Sequence, residues 1–346
     1  MFFPMIIFLC WTDLEIHRIK VQPLDFQNEA VYPGREFYLN HISHISTDGK
    51  RLYLSSDQNH QAVVIDLDGN VLYTLGKEGS GPGEFNQGIA GLAVRGDTVW
   101  VLDGGWRHIH RFVRGTFQTS LRLKSRYVVH FLGANIFDFR EEEVVVPCSA
   151  RTKGLAMVYQ EKKKPVVVGE AILSNEFLTG INDTMWRYHN GKWYCLFKFF
   201  PMINVFDHRF TLIESHQFDY VDYPAYQEVS EKDTSKRFTH FPPLFSDFQI
   251  YQDFLYVLSF SISELESTLN KIDLQQPKVT ARAVFRGEGP DFANVPPPKI
   301  LAFDKFAILD NGTVVLSSNS IAWSHDLWTA KVPFVTAKTV SNKPTE

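Results

Sequence analysis

Residues 48–56 read DGKRLYLSS, an Asp48-Gly49 turn dipeptide followed by a short run of aromatic and aliphatic side chains. The same two-part unit returns along the chain: Gly96-Asp97 before TVWVLD, Glu142-Glu143 before VVVP, Asn190-Gly191 before KWYCLF, Gln252-Asp253 before FLYVLS and Asn311-Gly312 before TVVLSS. Asn-Gly and Asp-Gly reach positive φ at little cost, so they favour tight hairpins. The runs after them alternate or are apolar throughout, as strands buried on both faces must be. The copies recur at intervals of roughly 45 to 60 residues, the spacing of four-stranded blades. This rhythm predicts an all-β chain: a six-bladed β-propeller of four-stranded antiparallel blades.

The first blade reads strand by strand. Tyr38 to Ser46 is the inner strand, Leu52 to Ser55 follows the turn, Ala62 to Leu67 leads to a second turn at Asp68-Gly69, and Val71 to Leu75 completes the sheet. A blade lies between two neighbours and needs apolar side chains on both faces; Tyr53, Trp100, Trp193 and Tyr256 are placed to fill the wedges between blades. Helical periodicity is nearly absent, and the best candidate is the short SELESTLNK stretch, Ser263 to Lys271. The alternating Leu14 to Val21 (LEIHRIKV) is positioned to supply the outer strand of the last blade, closing the ring and removing a free edge.

The chain has 346 residues, 44% apolar, 21% charged and 14% aromatic, with a net charge of −4. That is a globular composition with no basic footprint, so nucleic acid is not an expected partner. Cys10, Cys148 and Cys195 have no CxxC spacing; Cys148 and Cys195 read as small buried hydrophobes. Met1 to Trp11 (MFFPMIIFLCW) is apolar but about half a membrane span long. It has the look of an export-signal core, lacking a basic start and an A-x-A site, and Leu9 precedes Cys10 where a lipoprotein signal wants a small residue. The division expected is a degenerate export or lipoprotein-like leader at 1–11, one propeller over 12–340, and a tail at 341–346. No other segment is long and apolar enough to cross a membrane.

At the first blade boundary Gly76 to Phe85 (GKEGSGPGEF), followed by LAVRGDTVWVLDGGWRHIHRF to Phe112, resembles an NHL repeat. Val101, Asp103, Ile109 and Phe112 match that repeat, while Trp106 and His108 stand where Asn and Arg are usual. A second turn copy lies at Gly287 to Phe292 (GEGPDF). The chain is thus similar to the NHL-like and TolB-like six-bladed propellers of bacterial envelopes, which implies a periplasmic or cell-envelope location, a cytoplasmic one being the alternative. Gly79, Gly81 and Gly83 read as backbone-permissive positions, Pro82 as a stiffener and Phe85 as a plug into the new blade. This is linker chemistry; the spacing is not that of a phosphate-binding loop.

In such a ring the loops between strands two and three share one face with the segments that join blades, and the tight turns mark the opposite face. The loop face then holds Ser56 to His60, Asp103 to Arg107, Cys148 to Lys153 and Phe199 to Asn204, with Arg35, Glu84 and Pro296-Pro297-Pro298. The ligand-binding candidates are Asp57, Asn59, His60, Asp103, Trp106, Arg107 and Arg151. Asp57, His60 and Asp103 carry ligand-type atoms that a divalent cation in the central channel would use. His41 and His44 have odd spacing and point to opposite faces of a strand; His108 and His110 share a face. The irregular stretch from Asp219 to Phe245 is a candidate aromatic lid through Tyr220, Tyr223, Tyr226 and Phe238.

No G-x-S-x-G elbow, HExxH motif or Rossmann fingerprint occurs. The expectation is a non-enzymatic binding module presenting its loop face to a protein, peptide or small ligand. The alternative, implied by resemblance to gluconolactonase-type hydrolases, virginiamycin B lyase and peptide-amidating lyases, is a metal-dependent hydrolase or lyase with its site in the channel.

Overall fold

The protein is described by a computed structural model over residues 15–20, 22–23, 42–55, 60–105, 108–123, 137–148, 154–170, 183–220, 223, 243–261, 266–275, 278–286, 303–318 and 327–338. The chain enters with Glu15–Lys20 (β1) and Gln22–Pro23 (β2). Blade 1 is His44–Thr47 (β3), Leu52–Ser55 (β4), Ala62–Ile65 (β5) and Val71–Leu75 (β6). Blade 2 is Ile89–Arg95 (β7), Thr98–Asp103 (β8), His108–Val113 (β9) and Thr116–Arg122 (β10). Blade 3 is Asp138–Arg140 (β11), Glu143–Pro147 (β12), Ala156–Tyr159 (β13) and Val166–Val168 (β14). Blade 4 is Thr184–His189 (β15), Lys192–Phe197 (β16), Met202–Phe206 (β17) and Leu212–Gln217 (β18). Blade 5 is Phe245–Tyr251 (β19), Phe254–Ser261 (β20), Glu266–Asp273 (β21) and Lys278–Arg286 (β22). Blade 6 contributes Phe303–Ile308 (β23), Thr313–Ser318 (β24) and Leu327–Lys331 (β25). Each blade is an antiparallel meander, and all six tight turns read from the sequence join its first and second strands.

The ring closes because each strand divides its side chains between two neighbours. In β8, Val99 and Val101 pack with Tyr53 and Val64 of blade 1, while Trp100 and Leu102 pack with Phe139 and Val146 of blade 3. Successive residues of a strand point to opposite faces, so one apolar run serves two interfaces. Six apolar clusters result, one at each junction, and the last joins Ile42, Leu54 and Val63 of blade 1 to Ala307, Val315 and Leu327 of blade 6. Tyr53, Trp100, Trp193 and Tyr256 are all within 1% of full burial, in the wedges expected of them.

Closure differs from the expectation in one respect. β1 adds a fifth strand, parallel, to blade 5, pairing Glu15–Lys20 with Ala281–Arg286. The two residues of β2 complete blade 6, with Gln22 opposite Thr329 and Pro23 opposite Trp328. The alternating segment therefore covers the edge of β22, and its short successor closes the ring. Pro23 has no N–H to donate, which suits an outermost strand.

In the helix candidate, Glu266 to Lys271 belong to a strand, and Ser263 to Leu265 lie outside the described residues. Ser267, Thr268, Leu269 and Asn270 of β21 are fully buried. Asn270 donates through Nδ2 to Ser259 Oγ at 3.0 Å and to Thr268 Oγ1 at 3.2 Å. Pairing with both β20 and β22 overrides the local helical preference. Cys148 and Cys195 are buried free thiols.

Candidate functional site

The inner strands β3, β7, β11, β15, β19 and β23 surround the ring axis, and charged groups line it. Asp138 Oδ2 accepts the Tyr188 N–H at 2.8 Å and pairs with Arg95 at 3.0 Å. Asp247 Oδ2 accepts the Phe306 N–H at 3.1 Å, and its Oδ1 pairs with Arg187 at 3.4 Å. Gln249 donates to Phe306 O at 2.9 Å and accepts Ile308 N–H at 3.0 Å. Lys305 donates through Nζ to Ser246 O at 3.2 Å and to Asp304 O at 2.9 Å. Each of these side chains satisfies a neighbouring inner strand, so the axis is a belt of inter-blade hydrogen bonds. On the turn face it opens as a funnel of about 330 Å³ lined by Arg95, Asp138, Arg187, His189, Gln249 and Tyr251.

Toward the loop face, buried titratable groups succeed the belt. His44 is pushed down to about 3 by burial, helped by the charge of Lys305 and opposed by a backbone hydrogen bond at Ile89. Burial raises Asp183 to about 6 against the pull of Lys198. Burial lowers Lys198; Asp183 opposes this and Lys305 adds to it.

A second cavity, about 570 Å³, lies at the loop-face end of blade 2, between its strands and the linker that joins it to blade 1. Strand parity builds it: Val101 of β8 and Phe112 of β9 face blade 1, so Asp103, His108 and His110 face it too. Ser120 on β10 stands opposite His110 in the register, and its Oγ lies 2.8 Å from His110 Nδ1. The blade-joining linker roofs the groove. There Glu84 Oε2 accepts the Gly81 N–H at 2.7 Å and Oε1 pairs with Lys77 at 3.0 Å, which holds the Glu84 carboxyl below its usual range. Phe85 is fully buried beneath, edge-on to His110 at 5.1 Å. Of Gly79, Gly81 and Gly83, the first and last have positive φ; Gly81 does not, and its role is the bond to Glu84.

The sequence candidates fall as follows. Asp57, Asn59, Trp106, Arg107 and Arg151 lie outside the described residues, as do His41, Arg35 and Pro296-Pro297-Pro298. His60 Nδ1 lies 2.7 Å from Phe85 O. A carbonyl oxygen only accepts, so Nδ1 is the donor and the ring pins the linker. Asp103 accepts the Gly105 N–H at 3.2 Å and lines the groove between blade 2 and the linker beside the two histidines. Of the lid residues, Tyr226 and Phe238 lie outside the described residues. Tyr220 is 2% exposed, with its hydroxyl bonded to Ser259, and Tyr223 packs on the same cluster; both anchor the core between blades 4 and 5. Among the described residues no three His, Cys, Asp or Glu side chains are grouped closely enough to hold a metal by themselves. The axial belt was missed in the sequence. The Asp-Phe dipeptide that two of its members share, Asp138-Phe139 and Asp247-Phe248, also occurs at Asp25, Asp253 and Asp291 and so does not single it out.

The class these features define is the six-bladed β-propeller. No protein-family model matches the chain, and no curated protein matches it in sequence. Solved structures of similar fold include an inferred exported protein of Bacteroides fragilis, 11% identical with a TM-score of 0.57, over 91% of this chain and 98% of that one. A member of the duf4221 family from Bacteroides vulgatus is 8% identical with a TM-score of 0.57, over 92% and 96%. A glutaminyl cyclase of Myxococcus xanthus aligns over 91% and 97% at 10% identity with a TM-score of 0.44. At such identities the likeness is one of fold, and fold alone does not give function. No helix among the described residues is long and apolar enough to cross a membrane.

Proposed function

We propose that this protein is a non-enzymatic binding module, exported to the cell envelope, that presents its loop face to a protein, peptide or small ligand. One observation carries the reading: the lengths of its connections divide sharply by face. The blade-joining segments 76–88, 123–137, 169–183, 218–244 and 287–302 all leave and return at one face, whereas the longest connection on the other face is 160–165. Long connections on a rigid scaffold are where binding residues concentrate. The axial belt supplies the rigidity. The envelope location is supported by the apolar leader-like stretch at Met1 to Trp11 and by the exported protein among the similar folds.

Peptides, sugars and carboxylates are screened by thermal shift, and the best stabiliser is followed by hydrogen exchange. Protection at the strand ends that meet the blade-joining segments supports the reading. Protection confined to the turn face overturns it. So does cation-dependent turnover of a lactone or a peptide-amide substrate, which would establish a hydrolase or lyase.

A further inference from the structure

We propose that the groove between blade 2 and its incoming linker binds a divalent transition metal through His108 and His110, with Ser120 as a positioning residue. The two rings lie side by side on one face of the sheet, their centroids 5.9 Å apart and their planes at 40°. A metal sits about 2.0–2.1 Å from a ligating nitrogen, hence roughly 3.2 Å from each ring centre; a tetrahedral angle between two imidazoles then asks for centroids about 5.2 Å apart. The observed spacing exceeds this by less than an ångström, within reach of small side-chain rotations.

The protonation chemistry agrees. His110 Nδ1 is committed to Ser120 Oγ. A proton on Nδ1 donated to that oxygen leaves the Nε2 lone pair for a ligand, the usual way a metal-binding histidine is oriented. His108 makes no hydrogen bond to any described residue, so its ring is available. Asp103 in the same wall supplies compensating charge and an acceptor for a metal-bound water. The protein provides two ligands, and the groove leaves the remaining positions to water or to a ligand's own donor atoms. Imidazole donors select zinc, nickel or copper over magnesium or calcium. The site lies off the axis and does not depend on the binding reading above.

The test is calorimetric titration of the untagged, chelator-stripped full chain with zinc, paired with the zinc-induced change in melting temperature. The chain has 12 histidines, so stoichiometry alone decides nothing and the variants carry the test. His110 is nearly buried and its loss threatens folding; His108→Ala removes a partly exposed ring and is the informative change. Zinc affinity is expected to fall at least about tenfold in His108→Ala with loss of the melting shift, and about tenfold in Ser120→Ala, the scale of an orienting partner's loss. An isotherm unchanged in His108→Ala, or no zinc binding below about 100 µM in the parent protein, overturns the proposal.

Discussion

Asp247 bridges two blades: one carboxylate oxygen accepts the N–H of Phe248 in its own strand at 2.8 Å, and the other accepts the N–H of Phe306 in the next blade at 3.1 Å. Asp138 repeats the arrangement between blades 3 and 4, with Phe139 N–H and Tyr188 N–H both at 2.8 Å. Inner strands of neighbouring blades diverge too far for ladder hydrogen bonds, so a short acidic side chain spans the gap and a guanidinium balances its charge.

Removing that bridge takes from Arg187, 20% exposed, the stronger of its two counter-charges and leaves two backbone donors without acceptors. Asp247→Ala is therefore expected to destabilise the fold by about 3–5 kcal/mol, the cost of breaking a buried pair. Asp138→Ala should cost less, because Arg95 is 41% exposed and is solvated when its partner goes. Urea midpoints of the two variants check the order. Equal losses would show that burial of the arginine is not what sets the cost.

Buried titratable groups give stability a definite pH dependence. His44 and His110 titrate in the folded state near 3 and 4, below their ordinary 6.5. Their contribution is complete above pH 6.5 and is lost as pH falls through the folded values. Asp183 runs the other way, raised from 3.8 to about 6, so its contribution is present below 3.8 and lost as pH rises through 6. Each group accounts for at most about 1.4 kcal/mol per pH unit. Between pH 4 and 6 the histidines outweigh the aspartate, and unfolding free energy should rise with pH. Asp183→Asn should steepen that rise and His44→Gln should flatten it, as read from denaturant unfolding at half-unit pH steps. A rise in Asp183→Asn no steeper than the parent's removes Asp183 from the account.

Much of this architecture was open to a reader of the sequence because blade physics is local. A turn dipeptide and the two-sided apolar run after it declare themselves within nine residues, as in 48–56, and all six turns lie where the pattern puts them. What stayed hidden depends on contacts between distant segments. Nothing local tells that Glu15–Lys20 pairs in parallel with Ala281–Arg286, or that Glu266 to Lys271 surrender their helical preference to two flanking strands. The groove was half legible: the His108/His110 spacing showed a shared face, but Ser120 enters only through the register of β9 with β10.

Two glycines at positive φ separate conformational strain from crowding. At Gly76, φ is +77°, and a Cβ would fall inside the ring of Phe85, the buried plug of blade 2. At Gly96, φ is +56° with nothing within 4 Å of a Cβ. Gly96→Ala should cost only the left-handed penalty, about 1–2 kcal/mol. Gly76→Ala adds displacement of a core aromatic, for a total of about 3 kcal/mol or more. Thermal unfolding of the pair tests this, and similar losses at both positions would mean that the linker yields to the clash.

The N-terminal strands make the last test of how the ring is held shut. β2 offers two residues to β25, while β1 runs its whole length beside β22. The longer contact anchors the segment and thereby delivers the shorter one to the blade that needs it. Removing residues 1–23 uncovers the edges of β22 and β25 together, and exposed edges template pairing with other chains. The shortened protein should melt at a lower temperature and show concentration-dependent association in light scattering. Substituting the adjacent Ile16 and His17 together by proline withdraws at least one N–H donor from the β1–β22 ladder, because successive residues of a strand point their N–H groups to opposite sides, while keeping β2. If β1 is the anchor, this double variant should lose most of the stability that the truncation loses. A double variant that melts with the parent would mean that β2 holds blade 6 unaided.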